Sequence, residues 1–211
     1  DEERLLELEE LVRQVPSNRR PEIVVEMAGL HEKLGSRERA REMYARALPR
    51  LSAKRQADVH NSLGILCGEL HDLDAQADHY RESARLGGYS APLFNLALAY
   101  HQEGQRLGDA LKIVDEAIEM KADPAYLILR SQILKDLGQR DEAQVALGKA
   151  IARAEDLDLS EERDFQLGWV RTGAKALGRN DMVMEIDRVR ADRRKQGHVV
   201  QADDDLPVRD I

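Results

Sequence analysis

Residues 27–47 read Met-Ala-Gly-Leu-His-Glu-Lys-Leu-Gly-Ser-Arg-Glu-Arg-Ala-Arg-Glu-Met-Tyr-Ala-Arg-Ala, and the pattern they carry returns along the chain. Met27-Ala28, His31, Gly35, Ala40, Tyr44 and Ala47 make the first copy. Leu63-Gly64, Cys67, His71, Gln76, Tyr80 and Ser83 make the second; Leu96-Ala97, Tyr100, Gly104, Ala110, Val114 and Ala117 the third; Arg130-Ser131, Leu134, Gly138, Ala143, Leu147 and Ala150 the fourth. A spacing of 33–36 residues means stacked helical hairpins, because one hairpin cannot bury its apolar face without neighbours. The small residues Ala28, Gly64, Ala97 and Ser131 let paired helices approach closely. Tyr44 and Tyr80 are expected to fill the gaps between hairpins, and Ala40, Ala110 and Ala143 to seat each second helix against the next unit.

Composition agrees. Of the 211 residues only 4% are aromatic and 34% are charged, as in all-helical folds with solvated outer faces. A net charge of −8 has the wrong sign for general phosphate binding, so no nucleic-acid partner is expected. No apolar run approaches the roughly 20 residues that span a bilayer, and Asp1-Glu2-Glu3-Arg4 is not a signal peptide, so no membrane partner is expected either. The single cysteine, Cys67, cannot form an internal disulfide, which suits the cytoplasm. The chain opens without methionine, which reads as a fragment of a larger protein.

The recurring residues resemble the tetratricopeptide repeat family over about 21–154, with a divergent fifth hairpin at 161–195. Half-a-TPR and Sel1-like arrays are related alternatives, and the spacing favours the standard repeat. The implied fold is all-α: a right-handed α-solenoid of antiparallel hairpins with about ten or eleven helices. The expected organisation is an N-terminal helix in 1–20, four repeats in 21–154, a capping hairpin in 155–196 and a disordered acidic tail in 197–211. The first helix is either a cap or the second half of a preceding hairpin. Three residues depart from the family pattern: Gln76 replaces Ala, His71 replaces Gly, and Arg130 replaces an apolar residue. The second hairpin is therefore expected to be somewhat loosened.

The resemblance also implies a concave groove lined by first helices. Its positions place Val25, Asn61, Ile65, Phe94, Leu98, His101, Ile128 and Gln132 as candidate peptide- or partner-binding residues. Val25, Ile65, Phe94, Leu98 and Ile128 form an apolar stripe, with Asn61, His101 and Gln132 as hydrogen-bonding groups, suited to an extended or helical segment. In a register shifted by one residue the same side chains would pack inside the hairpins. Positions that clamp a chaperone's C-terminal carboxylate read Val25, Gly29, Ser62, Ala91 and Asn95, with no cation among them. That activity is not expected.

Other features read as structural. His71-Asp72-Leu73-Asp74 and Asp78-His79 lack the Gly and closing Glu of a calcium loop, and His60 with Cys67 falls on packing positions, so no metal or other cofactor is expected. His31 and Cys67 are read as packed core residues. Trp169 and Phe165 are expected to seal the end of the stack, and Arg188, Arg190, Arg193, Arg194 and Lys195 to form a solvated helix end. Nucleophile elbow, phosphate loop, HExxH and CxxC patterns are missing, so no catalytic residue is assigned. The expectation is a non-catalytic interaction scaffold for a protein or peptide. The alternative is a structural module that forms homo-oligomers through array ends and its convex face.

Overall fold

A computed structural model describes residues 1–104, 106–157 and 164–196, excluding the side chains of Asp164 and Phe165. The expectations for Phe165 and for the acidic tail lie outside the described residues. Eleven α-helices are present among the described residues, with no strand. They are α1 (Glu2–Gln14), α2 (Arg20–Lys33), α3 (Arg37–Ala47), α4 (Ala53–Glu69), α5 (Leu73–Gly87), α6 (Ala91–Glu103), α7 (Leu107–Met120), α8 (Pro124–Asp136), α9 (Arg140–Glu155), α10 (Asp164–Ala176) and α11 (Asn180–Lys195). A short 3₁₀ turn, Leu48–Arg50, follows α3. The chain divides into two compact units, Asp1–Leu96 and Ala97–Ile211.

Local chemistry fixes the helix ends. The Ser52 hydroxyl and the Asp72 and Asp123 carboxylates accept backbone N–H groups of Arg55, Ala75 and Ala125, capping α4, α5 and α8. Pro21 and Pro124 occupy first turns, where a missing N–H costs nothing. At the hairpin turns one geometry recurs. Ser36 N–H reaches back to His31 C=O at 2.8 Å, and Gln139 N–H to Leu134 C=O at 2.8 Å, with Gly35 and Gly138 left-handed at φ 76° and 81°. Asp72 N–H reaches Cys67 C=O at the same 2.8 Å, with His71 left-handed at φ 59°. The second turn is therefore not loosened: His71 takes the glycine conformation and the hydrogen bonds keep their length.

In the first unit, α2 pairs with α3 and α4 with α5, while α1 lies on α2 and α3 on α4. Leu5, Leu8, Met27, Ala28, Met43, Tyr44, Val59, Leu63 and Leu66 form one buried cluster. Each tyrosine packs against the first helix of its own hairpin, and Tyr44 also reaches Ser62 on α4 of the next hairpin, filling the gap between them. A Cβ added at Gly64 would lie 2.7 Å from Cδ1 and Cε1 of Tyr80, and one at Gly29 would lie 3.4 Å from the Tyr44 hydroxyl. The small residue on the first helix is thus the seat of the aromatic ring on the second. Tyr44 also donates to Glu32 at 3.2 Å, and burial pushes both tyrosine hydroxyls up to about 12.

Gln76, the departure from alanine, is accommodated by Gly68. A Cβ on Gly68 would collide with the Gln76 side-chain amide, and Gln76 in turn hydrogen-bonds the Tyr80 hydroxyl. His31 is half-buried, a correction to its reading as core, whereas Cys67 is buried. Cys67 is buried on α4 with Arg41 of α3 beside it, and His31 lies in the last turn of α2.

In the second unit α8 pairs with α9, α7 lies on α8, and α10 packs on α8, α9 and α11. Arg130 is explained by Asp115 of α7, whose carboxylate accepts its Nε–H at 2.6 Å. Asp123, 4% exposed, caps α8 and accepts Gln166 Nε2–H at 2.8 Å and Lys121 Nζ–H at 3.1 Å. A charge held this deep survives because each oxygen has partners. Trp169 is fully buried on α10. Arg190, read as part of a solvated end, is buried on the inner face of α11, one turn beyond the core residue Ile186.

Candidate functional site

The eight expected site residues divide between the units. In the first, Val25 on α2 and Asn61 on α4 are half-buried and Ile65 is exposed. The Asn61 carbonyl accepts a hydrogen bond from Asn95 Nδ2 at 3.3 Å, so one amide orients the other. The acidic neighbours are engaged as well. Glu22 of α2 and Asp58 of α4 both accept from Arg55, at 3.0 and 3.2 Å, and Asp58 also accepts the Tyr89 hydroxyl at 3.4 Å. Burial raises the Glu32 carboxyl, against the opposing hydrogen bond from Tyr44. Around Val25, which packs partly on the core, and the exposed Ile65 the surface thus carries paired charges. Exposed pairs of this kind contribute little stability but hold their side chains in place.

Phe94 corrects the apolar stripe, being buried at 2% exposure rather than open to a ligand. Burial of a phenylalanine contributes a few kcal/mol to folding, which makes the residue part of the packing. Ile128 in the second unit is likewise fully buried. The reason is α10: a Cβ on Gly173 would lie 3.0 Å from Ile128 Cδ1 and 3.1 Å from Leu147 Cδ1. Gly173 brings α10 down onto α8 and covers the isoleucine. Leu98, one turn after Phe94, remains half-buried.

His101 and Gln132 are both 6% exposed. His101 Nε2 lies 2.9 Å from Asp136 Oδ2, which joins α6 to α8, while its Nδ1 is buried with no hydrogen-bond partner. Gln132 is further from satisfaction: neither its amide oxygen nor its amide nitrogen has a partner. Its side chain lines a cleft of about 310 Å³ shared with Ser131 and Lys135 of α8, Arg140, Ala143, Gln144 and Leu147 of α9, and Ala176 of α10. Ser131 donates to the Ala143 carbonyl at 2.8 Å and is satisfied. The cleft thus has an apolar floor of Ala143, Leu147 and Ala176, a cationic rim, and one buried amide with both functions unmatched.

The repeat pattern singled out Gln132 but not Arg140, Gln144 or Ala176, because the cleft requires the approach of three helices. His60 and His79 were also missed as a pair. Their Nδ1 atoms lie 2.9 Å apart with ring centroids at 5.1 Å, and burial lowers both imidazoles. A spacing of 19 residues between facing helices carries no motif that could have revealed this. Asp72, part of the acidic run considered for calcium, is the cap of α5. Among the described residues no three His, Cys, Asp or Glu side chains gather as a metal-holding group, and no helix is long and apolar enough to cross a membrane.

Comparison with known proteins places this geometry. Residues 124–157, covering α8 and α9, match the family model described as tetratricopeptide repeat. No curated protein matches the sequence. Among solved structures, the chain is similar to BtubC (BKLC) from P. vanneervenii, 18% identical, with 94% of this chain and 90% of that chain covered and a TM-score of 0.64. It is also similar to MamA, 18% identical, with 72% and 86% covered and a TM-score of 0.62. A further similar structure is YrrB, described as a TPR protein with an unusual peptide-binding site, 16% identical, with 79% and 83% covered and a TM-score of 0.51. Likeness at these identities establishes the fold, and the matched hairpin supplies the sequence signature: the chain is a protein of the tetratricopeptide-repeat fold.

Proposed function

We propose that the chain is a non-catalytic interaction scaffold that binds a peptide or partner segment along its first helices, with Val25, Asn61 and Ile65 as contact residues of the first unit and Leu98, His101 and Gln132 as contact residues of the second. Phe94 and Ile128 are buried and are left out of that set. The observation that carries the reading is the exposure of Ile65 and the partial exposure of Leu98 at repeat positions where the core is already closed by Leu63, Leu66, Leu96 and Ala97. Val25 has one side on the core, and apolar groups with nearby amides suit a ligand that presents both side chains and backbone. YrrB, of similar fold, is described as having a peptide-binding site, which supports the same use here. The cytoplasmic setting expected from Cys67 belongs to this reading.

The test is panning of the immobilised full chain against a random peptide library, beside an Ile65→Ser, Leu98→Ser variant whose helix content is checked by circular dichroism. Enrichment of defined sequences on the wild type, lost on the folded variant, is the expected result. No enrichment on the wild type overturns the reading. Self-association is a second reading, favoured by Leu6 at 68% and Met184 at 72% exposure on the first and last described helices. Light scattering across a hundredfold concentration range separates the two: a constant monomer mass rules out self-association.

A further inference from the structure

We infer that His60 of α4 and His79 of α5 form a two-imidazole site for a divalent late transition metal, Cu²⁺ or Ni²⁺, held by the two Nδ1 atoms. The site lies wholly inside the first unit and does not depend on the interaction reading above. In the sequence His60 reads with Cys67 and His79 with Asp78; the fold joins the two histidines to each other instead.

Geometry supplies the first argument. The Nδ1 atoms lie 2.9 Å apart on the two paired helices of one hairpin. A metal–nitrogen bond of about 2.0–2.1 Å places two neighbouring nitrogens about 2.9 Å apart at a right angle and about 3.3 Å apart at the tetrahedral angle. The observed spacing is the right-angle one, which suits square-planar or tetragonal Cu(II) and Ni(II) better than tetrahedral zinc. Without a metal the same spacing holds one N–H···N bond, in which one ring donates and the other accepts. Ring centroids 5.1 Å apart with planes at 45° set the two nitrogens head to head. To ligate, each ring turns about its broad χ2 torsion until both lone pairs meet off that line, and the donating ring carries its proton on Nε2 rather than Nδ1. No net proton is released. Both rings are half-buried, so water reaches the pair and fills the remaining coordination positions.

The repeat supplies the second. In the register that aligns Gly64 with Ala28 and Ser131, and Tyr80 with Tyr44 and Leu147, the positions of His60 and His79 fall on Val24 and Met43 in the first hairpin and on Leu127 and Ala146 in the fourth. Met43 and Ala146 are buried, and Val24 packs on the core. Apolar side chains therefore close those hairpins. Half-burying two imidazoles in their place costs solvation that a single hydrogen bond returns only in part, so packing alone does not account for the pair. Burial lowers both imidazoles, which keeps them in the neutral form that binds metal. The charged groups around them are Glu82 and Arg85 at His60, and Asp78, Asp72 and Arg41 at His79. Three carboxylates against two guanidinium groups leave surroundings that accept a cation.

The test uses the full chain and CuCl₂, with glycine present to compete for weak surface binding. Calorimetry should show one site per chain, and electron paramagnetic resonance should show coupling to two imidazole nitrogens. In wild-type protein with ¹⁵N-labelled histidine, substoichiometric Cu²⁺ should broaden the ring resonances of His60 and His79 before those of His31 and His71, a measurement that needs no variant. His60→Gln and His79→Gln should each weaken Cu²⁺ binding at least tenfold while circular dichroism shows the helix content retained, and His31→Gln and His71→Gln should leave it unchanged. Because a ligand of the folded state stabilises by mass action, Tm should rise with Cu²⁺ concentration in the wild type and stay constant in His79→Gln. No calorimetric binding, coupling to a single imidazole, first broadening at another histidine, or full affinity in His79→Gln overturns the site and leaves the pair a hydrogen bond only. Peptide panning reads the other surface, so failure there leaves this site standing.

Discussion

Replacing His71 by glycine should stabilise the protein, an unusual outcome for a substitution that removes a whole side chain. His71 is exposed, has no side-chain hydrogen bond among the described residues, and holds φ at 59°, where Gly138 of the fourth repeat holds 81°. A left-handed backbone costs a residue with a Cβ roughly 1–2 kcal/mol, about 1.5 at the centre of that range. Glycine removes that cost but loses about 0.4–1 kcal/mol through the greater freedom of its unfolded chain. The expected net gain for His71→Gly is about 0.5–1 kcal/mol. For a chain of this size that corresponds to a rise in Tm of roughly 1–4 °C. Gly138→His provides the reciprocal measurement. A Cβ at Gly138 meets nothing within 4 Å, so the loss there should be conformational strain alone and of similar size. Native-state hydrogen exchange would localise the gain to amides of α4 and α5, since neighbouring hairpins open semi-independently in repeat arrays. Should His71→Gly leave Tm unchanged or lower it while Gly138→His behaves as expected, the equivalence of the two turns is refuted.

Three further outcomes follow from the packing. His60 and His79 are both lowered by burial, with Glu82 and Arg85 acting on His60 and Asp78, Asp72 and Arg41 on His79. The unfolded chain therefore binds protons more readily, so the stability this pair gives is complete above the ordinary value of 6.5 and is lost as pH falls through it towards the folded values. Urea midpoints from pH 8 to 5 should fall more steeply for the wild type than for a His60→Gln, His79→Gln variant, and parallel profiles would remove the pair as the cause. Phe94→Ala should cost about 3–5 kcal/mol by leaving a cavity, whereas Leu98→Ser should cost much less; similar losses in denaturant titrations would contradict the different burial of the two. Gly64→Ala places a methyl 2.7 Å from the buried Tyr80 ring and should destabilise by about 1–3 kcal/mol through overpacking, against a helix-propensity gain of about 1 kcal/mol. A net increase in Tm would show that the ring moves freely.

The hairpins were legible in the sequence because their determinants are local. Gly35, Gly138 and the caps Asp72 and Asp123 act within a few residues, and the small residues Ala28 and Ser131 mark helix contact wherever they recur. The site was legible only as a face. Periodicity put Phe94 and Ile128 on the side that lines a groove, but whether such a side chain is open depends on the next helix. Gly173 of α10, some 45 residues beyond Ile128, decides that case. Gln132 was singled out for its position, yet its unmatched amide depends on α9 and α10 offering Ala143, Leu147 and Ala176 rather than a polar partner. His71 was read as a weakness because glycine is the usual occupant. The turn closes regardless, since the hydrogen bonds offset about 1.5 kcal/mol of strain.

The meeting of Gly68 with Gln76 limits how this chain can be taken apart and rebuilt. Repeat proteins invite the exchange of one unit for another, or the averaging of units into a common sequence. Here the α4–α5 hairpin resists both operations. Restoring alanine at 76 alone empties a buried volume and takes away the Tyr80 hydroxyl's partner, while introducing a larger residue at 68 alone drives a methyl into the glutamine. The two positions are eight residues apart on opposite helices and must be inherited together. A chimera cut at His71 would separate them, and of the possible crossover points in this hairpin that turn, the most natural by eye, is the one to avoid.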